Sequence, residues 1–317
     1  MLEKDLPNGF FPVMLTPFKD NKEIDFEALE ELTDFYINAG CDGLFANCLS
    51  SEMYELTENE RLQVTKTVLD RVNGKIPVIA SGTFGNDIAY NASFIQKLSD
   101  LGVHTSVIIS NQLNPLETDE KFFESKVQEL AERTGIIDLG LYECPVPFKR
   151  ILSPSLLKSL AETGRFTYLK DTTCDLQEIK KKVAAIQGTR LKLYNANTPT
   201  ALESMNFGAA GVSPIAGNFF PEFFSYLVKR EDDENQVERL NTLITILDEI
   251  TGNSFYPLSS KIFLKMRGLR IVPITRTTCP SPTNQDLIKL EAMWDSVVNI
   301  SKALKIDLVK MSPASLK

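Results

Sequence analysis

The chain of 317 residues holds one histidine, His104, and one tryptophan. One imidazole cannot make the usual mixed His/Cys ligand sets, so no zinc site is expected. Ser-His-Asp chemistry would have to use His104 alone. That residue leads into the apolar run 105–109, which points to a structural role. The five cysteines are scattered, odd in number and without a C-x-x-C pair, so a reducing cytoplasm is the expected setting. No block of five basic residues occurs and the net charge is -8, so nucleic acid is not an expected partner. No apolar run approaches the ~18 residues that cross a membrane. Residues 1–8 are charged and short of apolar side chains, unlike a signal peptide. There is no low-complexity segment and no G-x-G-x-x-G after the first apolar run, which weighs against a dinucleotide-binding open sheet.

What the sequence does have is alternation. With 43% hydrophobic residues it can bury a large core. Short β-prone runs fall at 10–15, 43–46, 76–80, 105–109, 138–142, 166–170, 191–194 and 211–215, with helical patterns between them. The early spacing is one βα unit of about 30 residues. Several runs are apolar on both faces, as strands of a parallel sheet are. Asp25 can cap a helix bearing Phe26, Leu29, Leu32 and Tyr36. Thr57 and Glu60 form a capping-box pattern, Ser153-Pro154 a second start, and Asp175 or Thr173 a third. Eight such units can form an open sheet or a closed barrel, and a (β/α)8 TIM barrel is favoured. Residues 1–220 form that barrel in this reading. Residues 221–307 then read as helices packed on it, at 223–229, 235–251, 256–266 and 284–303. A proline-bearing loop at 271–282 interrupts them, and a tail of 308–317 frays at its end.

Active sites of such barrels lie at the C-terminal ends of the strands. Two polar residues end candidate strands there, Tyr142 and Lys170. Burial disfavours an ammonium and lowers its pKa, and a neutral amine is what a ketone needs to form an imine. A nearby phenol can move the protons. From pattern alone Lys170 can equally be solvated or paired with Asp171, and Tyr142 can simply line the barrel. The small polar loop Asn47-Cys48-Leu49-Ser50-Ser51-Glu52 can hold a carboxylate on its N–H groups or be an ordinary loop.

Together these pieces resemble the dihydrodipicolinate synthase / N-acetylneuraminate lyase family of class I aldolases. Residues 9–18, with Thr16-Pro17-Phe18, resemble the family's opening strand and T-P-F turn. Ser51-Glu52 followed by Leu56-Thr57 resembles its G-E-x-x-x-L-T segment. Tyr142-Glu143-Cys144-Pro145 resembles Y-N-x-P, and Lys170-Asp171-Thr172 resembles K-[DE]-[STA]. Residues 208–212 and 218–221 resemble the glycine-rich eighth strand and the A-N-x-x-P turn. The resemblance implies a metal- and cofactor-free lyase or aldolase that joins or splits a 2-oxo acid, pyruvate foremost, and an aldehyde. It implies Lys170 as the Schiff-base residue and Tyr142 as its proton carrier. Leu49, Ser50, Ser51 and Ser213 are the implied substrate-binding residues, Glu52 a brace for the loop, and a homotetramer or homodimer the implied assembly.

The chain departs from the family pattern at the residues that choose the second substrate. Leu49 stands where the first loop hydroxyl is expected. Ser110-Asn111-Gln112 stands in place of a tyrosine pair, and Pro147 in place of an arginine. Asn195-Ala196-Asn197-Thr198 replaces a common S-G-D-D turn. These changes argue against dihydrodipicolinate synthesis itself. They leave open a dehydratase of the same fold, or a relative that binds a 2-oxo acid without turnover.

Overall fold

The structure is a computed structural model that describes residues 5–113, 119–229, 233–253 and 255–309. Eight parallel strands, β1 (Gly9–Phe10), β2 (Leu44–Ala46), β3 (Val78–Ser81), β4 (Thr105–Ile109), β5 (Leu139–Tyr142), β6 (Phe166–Asp171), β7 (Lys192–Asn195) and β8 (Gly211–Val212), pair in the order β1-β8-β7-β6-β5-β4-β3-β2. The ring closes between the chain after β1 and β2. Val13 bridges Phe45 in parallel, and the Met14 N–H donates to the Phe45 carbonyl at 3.0 Å. A Cβ on Gly211 would lie 1.8 Å from the Gly9 carbonyl oxygen, so the β1–β8 contact requires glycine there.

The first and last strands are shorter than their apolar runs suggest, and proline is the reason. Pro12 has no N–H to give, so β1 stops at Phe10; the Phe11 N–H still reaches the Val212 carbonyl at 3.0 Å and the Pro12 carbonyl accepts the Phe45 N–H at 3.1 Å, ahead of the bridge at Val13. Pro214 likewise follows β8, although the Ser213 N–H still reaches the Asn195 carbonyl at 2.8 Å. The continuous apolar run of β4 keeps the bounds expected of it.

Helices α1 (Phe26–Asn38), α2 (Glu58–Val72), α3 (Ile88–Leu101), α4 (Glu120–Arg133), α5 (Pro154–Glu162), α6 (Leu176–Ile186) and α7 (Ala201–Asn206) follow successive strands. The expected caps are present: Asp25 accepts from the Ala28 N–H, Thr57 and Glu60 cap reciprocally, and Ser153 precedes Pro154. Of the two candidates for α6 it is Asp175 that caps, accepting from Gln177 and Glu178. The barrel interior is filled by Phe11, Val13, Phe45, Ile79, Val107, Tyr168 and Tyr194, with the two tyrosine rings stacked at 4.7 Å. It is a packed core, and the open end for chemistry is the rim above it.

Four more helices follow: α8 (Pro221–Lys229), α9 (Glu234–Thr251), α10 (Leu258–Met266) and α11 (Asn284–Leu304). The third begins two residues later than its apolar pattern because Pro257 precedes it, which leaves Tyr256 outside the helix. Residues 271–282 are free of helix and strand, as their prolines predict. The expected frayed tail, residues 310–317, lies outside the described residues. No helix among the described residues is long and apolar enough to cross a membrane.

Candidate active site

Tyr142 and Lys170 are direct register partners at the C-terminal ends of β5 and β6. The pleat turns both inward, and the Lys170 Nζ lies 4.8 Å from the centre of the Tyr142 ring. Only 3% of each residue is exposed. Burial disfavours the Lys170 ammonium and brings its pKa down to about 8, an effect partly offset by the Cys48 and Cys144 thiols nearby. Burial pushes the Tyr142 phenol well above its ordinary range, so it keeps its proton. His104 is at the opposite end of the barrel. Its Nδ1 accepts from the Val78 N–H at 3.3 Å, and burial keeps the ring below its usual pKa.

The loop after β2 forms one wall. Residues Leu49–Ser51 make a single 3-10 turn, flanked by Asn47 and Glu52, both at positive φ. Two non-glycine residues in the left-handed region store strain that the surroundings must hold. Glu52 is held firmly. Its Oε1 accepts from Lys261 Nζ at 2.6 Å, and its Oε2 accepts the N–H groups of Arg276 and Thr277 at 2.7 and 2.8 Å. Glu52 therefore braces the loop through backbone hydrogen bonds, as expected of it. The groups that receive it come from α10 and the 271–282 loop, so the C-terminal helices shape the rim.

The four residues proposed to bind substrate separate into two kinds. Ser50 is buried and takes a 2.7 Å hydrogen bond from the Tyr256 hydroxyl, and its own proton meets no acceptor among the described residues. The N–H groups of Leu49 and Ser50 meet no backbone carbonyl there. Ser51 and Ser213 differ, because their hydroxyl protons are already committed. Ser51 Oγ donates to the Met14 carbonyl at 2.6 Å and accepts the Cys48 N–H at 3.1 Å. Ser213 Oγ donates to the Phe11 carbonyl at 2.7 Å. In this geometry neither hydroxyl has a proton left to give a carboxylate. Ser51→Ala is expected to cost about 1–3 kcal/mol in chemical denaturation, the size of leaving buried partners unmade. A selective loss of substrate binding at unchanged stability would return Ser51 to the binding set.

Behind the strand ends lies a cluster that the motif reading missed. Glu143 and Asp171 each follow an inward residue, so they face the helix layer. There Lys182 of α6 reaches Glu143 Oε1, Asp171 Oδ2 and Thr173 Oγ1, each at 2.6 Å. The lysine and both carboxylates are buried. Asp171 thus pairs with Lys182, and the alternative pairing with Lys170 is set aside. Burial, then the Asp171 carboxylate, push the Glu143 pKa upward against the pull of Lys182. Two signals pointed here: a lysine on the apolar stripe of α6 with Ile179 and Ile186, and two acids one residue past two strand-end candidates. Lys261 of α10 and Tyr256 just before it carried no such signal.

The substituted segment after β4 braces the loop that follows Tyr142. Asn111 Nδ2, with two protons to share, lies 2.8, 2.9 and 2.6 Å from the carbonyls of Cys144, Val146 and Phe148. Gln112 Nε2 donates to the Tyr54 hydroxyl at 3.1 Å, and that hydroxyl lies 3.9 Å from Cys144 Sγ. Among the described residues no group of three or more His, Cys, Asp or Glu is placed to hold a metal ion.

The sequence matches the model of the Dihydrodipicolinate synthetase family over residues 6–295. A 4-hydroxy-tetrahydrodipicolinate synthase of Coxiella burnetii is 29% identical over 215 residues, 68% of this chain and 72% of that one. Another, from Oceanobacillus iheyensis, is 25% identical over 285 residues, 88% of this chain and 94% of its own. The crystal structure of the chloride-inhibited dihydrodipicolinate synthase of Acinetobacter baumannii complexed with pyruvate superposes with a TM-score of 0.80. It is 24% identical and covers 95% of this chain and 99% of that one. The chain therefore belongs to the dihydrodipicolinate synthetase family, whose members are metal-independent Schiff-base lyases.

Proposed function

We propose that Lys170 forms an imine with the ketone of a 2-oxo acid, pyruvate foremost, and that a carbon–carbon bond to an aldehyde is made or broken beside it. The observation that carries this is a fully buried amine with a pKa of about 8, register-paired with a protonated tyrosine. At pH 7 about a tenth of such an amine is neutral and nucleophilic, far more than of an ordinary lysine. Attack on the ketone gives a carbinolamine, whose hydroxyl leaves as water when a proton is delivered to it. Tyr142 supplies that proton and recovers one in the reverse step. The protonated imine then draws electrons from the adjacent carbon, so the enamine forms without a metal. Ser50 and the N–H groups of Leu49 and Ser50 take the carboxylate. The names of the curated relatives and the pyruvate in the Acinetobacter structure support this first half of the reaction.

The second substrate is read from what has changed. Leu49 offers no hydroxyl, Pro147 no charge, and Asn111 and Gln112 are spent on the loop. These residues support an aldehyde other than the one used by the named synthases, or cleavage of a sugar-derived 2-keto-3-deoxy acid. Cys41, Cys48 and Cys144 are free and buried, which supports a reducing, cytoplasmic setting. A homotetramer or homodimer is proposed with it, supported by the exposed apolar side chains of Phe122, Val146 and Ile151. Light scattering tests the assembly.

The chemistry is tested by borohydride reduction in the presence of pyruvate, read by peptide mass spectrometry. A reduced pyruvyl adduct is expected on the Lys170 peptide. Its rate of formation should rise about tenfold per pH unit below pH 8 and level off above it. No adduct with pyruvate or a panel of 2-oxo acids would overturn the reading in favour of a binding relative. Release of water from a hydroxylated acid, with no aldehyde, would favour the dehydratase.

A further inference from the structure

The loop after β2 ends a hydrogen-bond chain whose direction is fixed by its chemistry. The Asn218 amide nitrogen lies 2.9 Å from the Val13 carbonyl and 2.8 Å from the Tyr256 hydroxyl. A carbonyl only accepts, so the nitrogen must face it, and the amide cannot be turned over. The amide oxygen accepts from the Tyr36 hydroxyl on the other side. Both amide protons are then spent, one of them on Tyr256. Having accepted from Asn218, the Tyr256 hydroxyl has its own proton free to donate, and the Ser50 Oγ lies 2.7 Å away. Ser50 in turn has one proton left and no protein acceptor for it among the described residues. It is 3% exposed, so little solvent reaches that proton and it is left for a bound ligand. Cys48, two residues earlier, packs in the same cluster as Tyr142, over whose ring the Lys170 amine lies, so the end of the chain is on the side of the barrel that holds the amine.

We propose that Tyr256, oriented by Asn218, is a positioning residue that turns the Ser50 hydroxyl outward as a donor and so strengthens its hold on an ionised carboxylate over a neutral analogue. The inference rests on the imine reading above and extends it to Asn218, just before α8, and Tyr256, just before α10. Without the chain, a serine hydroxyl donates or accepts with equal ease and reads an amide or ester as readily as an anion. With it, one lone pair of Ser50 is taken by Tyr256 and its proton is turned outward to give, and donation to an anion is a stronger bond than donation to a neutral carbonyl. Burial raises the Tyr256 phenol above its ordinary range, so it remains a donor at every working pH. The negative charge of Glu52 nearby is matched by Lys261 and does not compete for the role.

The test compares pyruvate with pyruvamide, its neutral analogue, in borohydride trapping of the full chain. Tyr256→Phe is expected to raise the half-saturating pyruvate concentration about tenfold, the size of one charge-assisted hydrogen bond. For pyruvamide the expected change is less than about twofold. The preference for the anion therefore falls, which loss of folding alone does not produce. Asn218→Asp provides the second variant. A carboxylate can only accept, so it turns the Tyr256 proton away from Ser50, and the same loss of preference is expected with the tyrosine still present. An adduct that forms in Tyr256→Phe with unchanged pyruvate half-saturation and unchanged preference would overturn the inference and leave the imine reading standing. No adduct in the unaltered chain would overturn both.

Discussion

Lys170→Met is expected to abolish imine formation and, at neutral pH, to make the protein more stable. Loss of turnover by at least about four orders of magnitude follows from removing a covalent nucleophile. The gain in stability follows from the same burial that prepares the amine. In the folded chain Lys170 has a pKa of about 8, against 10.5 for an ordinary lysine. At pH 7 both the folded and the unfolded chain hold the proton, and the folded one bears the cost of burying the charge. Between pH 8 and pH 10.5 the folded chain releases the proton and the unfolded chain keeps it. The unfolded state then binds more protons, so stability of the unaltered protein rises with pH across that window. The full difference is about 3 kcal/mol at 1.36 kcal/mol per unit. Methionine fills nearly the same space without the charge. It gives up the cation–π contact with Tyr142, about 1 kcal/mol, so a net gain of about 2 kcal/mol is expected at pH 7. Urea unfolding at pH 7 and at pH 10.5 measures it. The advantage of the variant should shrink at the higher pH. An advantage that is absent at pH 7, or constant across the window, would mean that burial does not strain the Lys170 ammonium.

How much of this was legible in the sequence differs element by element. The run at β4 could be read to the residue because it is apolar on both faces and bounded by polar turns. The first strand could not, because its apolar run contains Pro12 and periodicity does not weigh a missing donor. Tyr142 and Lys170 stood out as polar residues ending apolar strands, a position that costs free energy unless it serves chemistry. Ser51 and Ser213 looked equivalent to Ser50 as residue types. Only the distances to Met14 and Phe11 show that their protons are already committed. Tyr256 was out of reach altogether. It meets Ser50 across 206 positions of chain, and no local pattern encodes such a contact. Lys182 lies between these cases. Its place on an apolar helix stripe was visible, but its two acids sit on neighbouring strands, and only the barrel brings the three together.

That cluster yields the largest expected loss of stability. Lys182→Met leaves two carboxylates, Glu143 and Asp171, buried side by side without a cation. Breaking a buried pair in this way costs about 3–5 kcal/mol, because the charge left behind is neither solvated nor paired. The cost should depend on pH in a definite direction. Burial and Asp171 already raise the Glu143 pKa, and removing Lys182 raises it further. A carboxyl whose folded pKa is raised favours the folded state below its unfolded pKa and loses that contribution as pH rises through the folded value. Acidification from pH 7 to pH 5 should therefore narrow the gap between variant and unaltered protein. Adding Glu143→Gln removes one of the stranded charges and keeps the acceptor for the Leu152 N–H, so the double variant should recover a good part of the loss. Activity should fall with the single variant as well. Tyr142 and Lys170 are the residues just before Glu143 and Asp171, and the lysine that joins the two acids also fixes the spacing of the two strand ends. Urea unfolding of the single and double variants at both pH values decides the matter. A loss that does not change with pH and is not relieved by Glu143→Gln would mean that Lys182 acts through packing alone.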